Sequence, residues 1–176
     1  MSDPANTGDI RGAAKKEAFH EAAEAAVRSF HFAVPDGIPN NAKAHVKLAG
    51  TETVRASVQV LRSGGENNLH YHPNVDLTYM VLKGRVAFYG PEDKILGEFG
   101  PQEGLLLPEN ARYWFKSLGD EEAWLLQIAG YPKGAKTSKR VSVKPRTVNK
   151  HGVWVGQSDD ELERRSARHK DERSQD

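Results

Sequence analysis

Turn residues recur at short intervals between residues 42 and 148, and between them lie only strand-sized apolar runs. Ser63-Gly64-Gly65, Lys83-Gly84, Gly90-Pro91-Glu92-Asp93, Gly100-Pro101, Pro108-Glu109-Asn110 and Leu118-Gly119-Asp120-Glu121 each break the chain. Glycine, proline, asparagine and aspartate supply the backbone conformations that tight turns need. No helix fits such gaps, so the spacing predicts strands over Ala44–Ala49, Thr53–Leu61, His70–His72, Leu77–Leu82, Arg85–Tyr89, Lys94–Phe99, Gly104–Leu107, Arg112–Lys116 and Ala123–Ala129. Many short strands with turns between them imply an antiparallel sandwich or a small barrel. Arg140–Val148 alternates through Val141 and Val143 and reads as an edge strand.

In Thr53–Leu61 the period is two. Val54, Ala56, Val58 and Val60 share one face; Arg55, Ser57, Gln59 and Leu61 share the other. One face must meet a core, and the other is open to solvent or to a polar pocket.

The flanks are different. Met1–Ile10 is small and polar and reads as disordered. Arg11–Phe32 is alanine-rich and free of proline, with Phe19, Ala22, Ala23, Ala26 and Phe30 at helical spacing, so residues 11–41 read as a helix and its linker. Residues 149–176 form a charged tail; within it Gly152–Gly156 is a last apolar patch that could hook the tail down, and Asp159–Lys170 could form a solvated helix. With 176 residues there is room for one domain and its tails, and a mean hydropathy of -0.67 fits polar flanks around an ordinary core.

A formal net charge of +1 gives no bulk attraction for nucleic acid. With no cysteine, disulfides, thiolate metal sites and cysteine nucleophiles are excluded. No apolar window approaches a membrane span, and there is no signal-type leader, so the chain reads as soluble and cytoplasmic. No phosphate-binding loop and no basic aromatic patch support a nucleotide cofactor or a nucleic-acid partner.

The chemistry centres on His70 and His72. On a strand, residues i and i+2 point the same way, so two imidazoles aim at one place. Imidazole pairs suit Fe, Mn, Ni, Zn or Cu, but a metal site needs three or four protein groups. By alternation Tyr79 and Val81 share the inward face with the histidines, and Phe115 follows Tyr113 inward. Arg55, Gln59 and Gln127 join a pocket if their strands turn that face inward, which makes Arg55, Gln59, Tyr79, Phe115 and Gln127 the candidate substrate contacts. His45 and His151 have no neighbouring ligand pattern and read as incidental.

The stretch Gly64–Gly84, followed by Gly100–Ser117, resembles the cupin superfamily. Gly64, His70, His72 and Gly84 stand in register with that family's first motif, and Pro108 with its second. The resemblance spans about Ala42 to Val148. It implies an all-β fold, a double-stranded β-helix or jelly-roll barrel, with the N-terminal helix and polar C-terminal tail attached. It also implies a homodimer and one divalent metal held by two histidines, a glutamate and a third histidine. Carried over by position, the glutamate place is Leu77 and the third-histidine place is Tyr113. Leucine has no donor atom. A tyrosine binds as phenolate only against a pKa of about 10. Asp76, next to Leu77, would need a bulge or turn to swing inward, and the reading that outweighs a ligand role is a cap for the turn at Pro73–Val75.

Three ways to fill the site stay open. His70 and His72 hold a metal with Asp76 or Tyr113 and water; the two histidines bind a metal weakly or not at all; or the pocket works without a metal, its histidines and Tyr113 acting by hydrogen bonding or acid–base chemistry. The implied function is action on a small organic molecule in the barrel, as a metal-dependent enzyme of dioxygenase, decarboxylase, isomerase or lyase type with Tyr113 as ligand or proton donor. The alternative is a metal-free barrel that binds or senses a small ligand.

Overall fold

The computed structural model describes residues 7–38, 43–62, 67–135, 139–143 and 153–156. A helix, α1 (Thr7–Glu24), precedes eleven strands among these residues. They are β1 (Lys43–Gly50), β2 (Val54–Leu61), β3 (His70–Tyr71), β4 (Asp76–Lys83), β5 (Val86–Tyr89), β6 (Ile95–Phe99), β7 (Gly104–Leu107), β8 (Trp114–Ser117), β9 (Ala123–Gly130), β10 (Val141–Ser142) and β11 (Val153–Gly156).

The strands form two walls. One is a six-stranded sheet in the order β11-β1-β2-β9-β4-β7. The other combines β6-β5-β8 with the short pair β10-β3. Every pairing is antiparallel except β11 on β1. Within the apolar patch, Val153–Gly156 thus form an edge strand of the large sheet.

Between the walls lies the main core: Leu61, Leu77, Tyr79, Val81, Val86, Phe88, Leu107, Tyr113, Phe115, Ala123 and Leu125, with others, packed as one cluster. The aromatic rings pack against one another at tilted angles, with Phe88–Phe115 centroids at 5.1 Å and Tyr79–Phe115 at 5.8 Å. Such pairs add to plain area burial through edge and offset contacts.

A second cluster lies on the outer face of the large sheet. Ala44, Val58 and Val60 are buried there under Ile38, with Phe32, Val34, Trp124 and Leu126 around them. The stretch after the helix is therefore packed structure, and Phe32 meets Trp124 edge-on at 5.1 Å. This explains why both faces of β2 are buried from Ser57 to Leu61, where alternation alone left one side open.

The helix departs from its sequence expectation at both ends. It starts at Thr7 rather than Arg11, so Thr7–Ile10 is helical, and it ends at Glu24 rather than Phe32. Ala26 and Val27 already donate to carbonyls three residues back, the tighter turn that closes a helix. Phe30 and Phe32 belong to the irregular segment that follows. The Asp159–Lys170 helix lies outside the described residues, as does most of the Arg140–Val148 strand beyond Val143.

The motif glycine Gly84 has φ +71, the left-handed region, and a Cβ there would stand 3.0 Å from Glu122 O and Ala123 Cα. Both facts restrict the position to glycine. The β4–β5 turn thereby fixes the register of the strand that carries Tyr79.

Candidate functional site

His70 is held by backbone on both sides. Its N–H donates to Tyr113 O at 3.0 Å, and the Tyr113 N–H donates back to His70 O at 2.9 Å. One residue pair on, Asn110 N–H donates to His72 O at 3.0 Å. The loop after Pro108 is thereby fastened to the histidine stretch. Asn67 Oδ1 accepts the Phe115 N–H at 2.9 Å and fastens the other end.

This brings His70, His72 and Tyr113 together. The His70 ring lies 4.4 Å from the Tyr113 ring and 5.2 Å from the His72 ring, centroid to centroid. His70 is 2% exposed. Its Nδ1–H donates to Asn68 O at 2.7 Å, which leaves Nε2 as the acceptor. Burial pulls the His70 pKa down to about 3, helped by the positive charge of Arg140; the Asn68 hydrogen bond opposes this, and His72 and Lys43 reinforce it. Burial and Arg140 take His72 to about 4. Both imidazoles are neutral at pH 7.

Tyr113 and Tyr79 share a hydrogen bond between hydroxyls at 2.9 Å. Burial raises the pKa of each above the ordinary phenol value. Next to them Gln59 Nε2–H donates to Gln127 Oε1 at 2.6 Å. Gln127 and Tyr79 are cross-strand neighbours, as are Gln127 and Ser57. Gln59, Tyr79, Phe115 and Gln127 thus line one inner surface. Arg55 stays exposed at the rim, its guanidinium 4.7 Å from the Tyr131 ring centre.

Asp76 faces the other way from its neighbour Leu77. It lies on the exposed face of β4, where Oδ1 accepts the Glu109 N–H at 2.9 Å. It borders a surface cleft of about 350 Å³ with Thr53, Asn74, Glu109 and Tyr131. The cause is the strand period: Leu77 points into the core at 2% exposure, so its neighbour must point out. No bulge intervenes at this end of β4, whose pairing with β9 runs regularly from Asp76 to Val81.

Sequence reasoning missed His45. It sits on the inner face of β1, and its Nε2 is 2.6 Å from Ser57 Oγ. Burial, with Lys43 and Lys47 adding to it, lowers its pKa to about 4. The signal was available: Ala44, Val46 and Leu48 mark the apolar outer side, so His45 faces inward opposite Gln59.

The resemblance implies a metal here, and the donor set does not fit one. The acid's place holds Leu77. The third histidine's place holds a phenol that is buried, hydrogen-bonded to a second phenol and harder than usual to ionise. Among the described residues no three His, Cys, Asp or Glu side chains converge on one point. Two neutral histidines fall short of the three or four groups that metal sites normally supply.

No protein-family model matches this chain, and neither does any curated protein. Solved structures do. An uncharacterized conserved protein with a double-stranded β-helix domain from Klebsiella pneumoniae subsp. pneumoniae is 14% identical, with 65% of this chain and 99% of that one covered at a TM-score of 0.54. An RmlC-like cupin protein from Desulfovibrio desulfuricans is 16% identical over 59% of this chain and 96% of its own, at 0.51. An RmlC-like cupin with a double-stranded β-helix fold from Methanocaldococcus jannaschii is 17% identical over 60% and 92%, at 0.50. At this identity the likeness defines the fold. The chain has the double-stranded β-helix fold of those cupins, all-β among the described residues apart from its N-terminal helix. Among the described residues no helix is long and apolar enough to cross a membrane.

Proposed function

We propose that this cupin barrel binds a small organic molecule at His70, His72 and Tyr113 without a metal ion, as a carrier or sensor rather than a metalloenzyme. The observation that carries this reading is the buried Tyr113–Tyr79 hydroxyl pair standing where the resemblance places a metal ligand. A phenol so held donates or accepts a hydrogen bond and resists becoming the anion that a metal needs. Neutral His70 Nε2 offers an acceptor in the same place. Asn68, whose backbone carbonyl accepts from His70, also carries a buried Nδ2 with no hydrogen-bond partner among the described residues. A buried donor left unpaired costs roughly 1–3 kcal/mol, and a ligand acceptor would recover part of that.

Metal analysis of protein expressed in metal-replete medium tests this, with His70→Ala and His72→Ala as controls. The expected result is substoichiometric metal in the wild type, and metal binding gained when Leu77→Glu and Tyr113→His are introduced together. One equivalent of tightly held metal in the wild type, lost in His70→Ala, would sink the proposal and restore the metal-dependent enzyme.

A further inference from the structure

Positive charge flanks the inner site from both walls. On β1 the period of two turns Ala44 outward and Lys43 and His45 inward, opposite Leu61 and Gln59 of β2. Lys43 reaches over the core, its Nζ 5.6 Å from the centre of the Phe115 ring. On the other wall β10 pairs with β3, and Ser142 stands opposite His70. This register brings Arg140, just before β10, to Asn68. An Arg140 Nη2–H donates to Asn68 O at 3.1 Å, the same carbonyl that accepts the His70 Nδ1–H at 2.7 Å. Two donors on one oxygen place the guanidinium beside the His70 imidazole.

These charges act on the site as a whole. That of Arg140 reaches His70, His72, Tyr79 and Tyr113, and that of Lys43 reaches His70. Among the described residues no carboxylate opposes them at these four groups. Described acids are engaged elsewhere: Asp76 with the Glu109 N–H, Glu98 with Arg85 and Glu122 with Arg62. Lys43, Arg140 and His72 are half-buried, where a charge is screened less than in open water. A cationic ligand is repelled from such a place, and a neutral one leaves the attraction unused. An ammonium carries three N–H donors and a guanidinium five, so each can hold other partners and still serve a ligand.

Resting on the metal-free site proposed above, we propose that its ligand is a small organic carboxylate. The ligand's charge is met by Arg140 beside His70, with Lys43 adding attraction from the opposite wall, and its remaining atoms lie toward His70 Nε2 and the Tyr113 hydroxyl. The guanidinium fork matches the two oxygens of a carboxylate, and charge-assisted hydrogen bonds are roughly twice as strong as neutral ones. Two cations suit a singly charged carboxylate better than a phosphate dianion with its three oxygens.

Full-length protein stripped with a chelator is titrated with acetate, propionate and benzoate, with their uncharged isosteres acetamide, propionamide and benzamide, and with inorganic phosphate, and binding is followed by amide NMR shifts. The expected result is that at least one carboxylate binds with a dissociation constant of about 10 mM or lower, roughly tenfold or more tighter than its amide. Arg140→Gln weakens that binding roughly tenfold, Lys43→Gln does so by less, and Arg140→Lys recovers part of the loss. Ligand-free denaturation midpoints show that each variant is folded, and Arg140→Lys carries the test if Arg140→Gln is not. Equal binding of carboxylate and amide would overturn the proposal and leave the metal-free site standing. Carboxylate binding that is absent from the stripped protein and gained with added Zn²⁺ or Mn²⁺ would overturn the metal-free reading itself. Phosphate bound more tightly than every carboxylate, an unchanged carboxylate affinity in Arg140→Gln, or no carboxylate bound in that range would each overturn the proposal.

Discussion

Three histidines of the barrel are held neutral mainly by desolvation, and this couples folding to pH. In the unfolded chain a histidine titrates near 6.5, whereas His45 and His72 titrate at about 4 and His70 at about 3 in the fold. Between those values the unfolded chain binds more protons than the native one. Stability therefore rises with pH through that window and falls on acidification from pH 6.5 toward 4, by at most about 1.4 kcal/mol per pH unit for each histidine. Chemical denaturation from pH 7.5 to 4.5 checks this. The expected midpoint falls below pH 6.5, and the fall is shallower in His45→Gln and His70→Gln, because each removes one proton-linked group. A flat profile would mean that the imidazoles stay solvated. At this scale the sequence was only partly legible. His70 and His72 announced themselves by spacing, but His45 did not, because its significance comes from Ser57 and Gln59 on the next strand. Asp76 stands next to the acid's place in sequence, while the strand period decides which way it points.

The elements were more legible than the side chains. Turn residues bounded nearly every strand to within two positions, since glycine and proline act locally. What local pattern could not give was cover. Nothing in the alternation of β2 says that residues 32–38 will close its outer face, and nothing in an alanine-rich run says that a helix stops at Glu24 once Phe32 is claimed by Trp124. The close approach of β7 to β4 is also a matter of pairing rather than composition. A Cβ on Gly104 would stand 1.8 Å from Tyr79 O, a clash with backbone that only movement of β7 can relieve. Gly104→Ala is expected to destabilise the barrel by about 2–4 kcal/mol, toward the upper end for single substitutions. Its effect will reach the site, because Tyr79 is the residue that β7 would push. Urea denaturation measures the loss, and a change below about 0.5 kcal/mol would show that the edge strand relaxes freely.

For the whole molecule, the N-terminal region divides into a part that the barrel needs and a part that it does not. Residues 32–38 seal an apolar face: Ile38 is 3% exposed, and beneath it Ala44 and Val60 are at 0%. The helix before them buries nothing of its own chain among the described side chains. Two truncations separate these roles. Removing residues 1–24 should leave the denaturation midpoint of dilute protein unchanged, because an isolated exposed helix of this length contributes little in water. Removing residues 1–38 uncovers Val58, Val60 and Trp124 and forfeits the burial of Ile38, worth roughly 1.5–3 kcal/mol for each large side chain returned to water. That truncation should unfold at clearly lower urea and associate through the bared sheet. Equal stability of the two proteins would show that the cover is incidental.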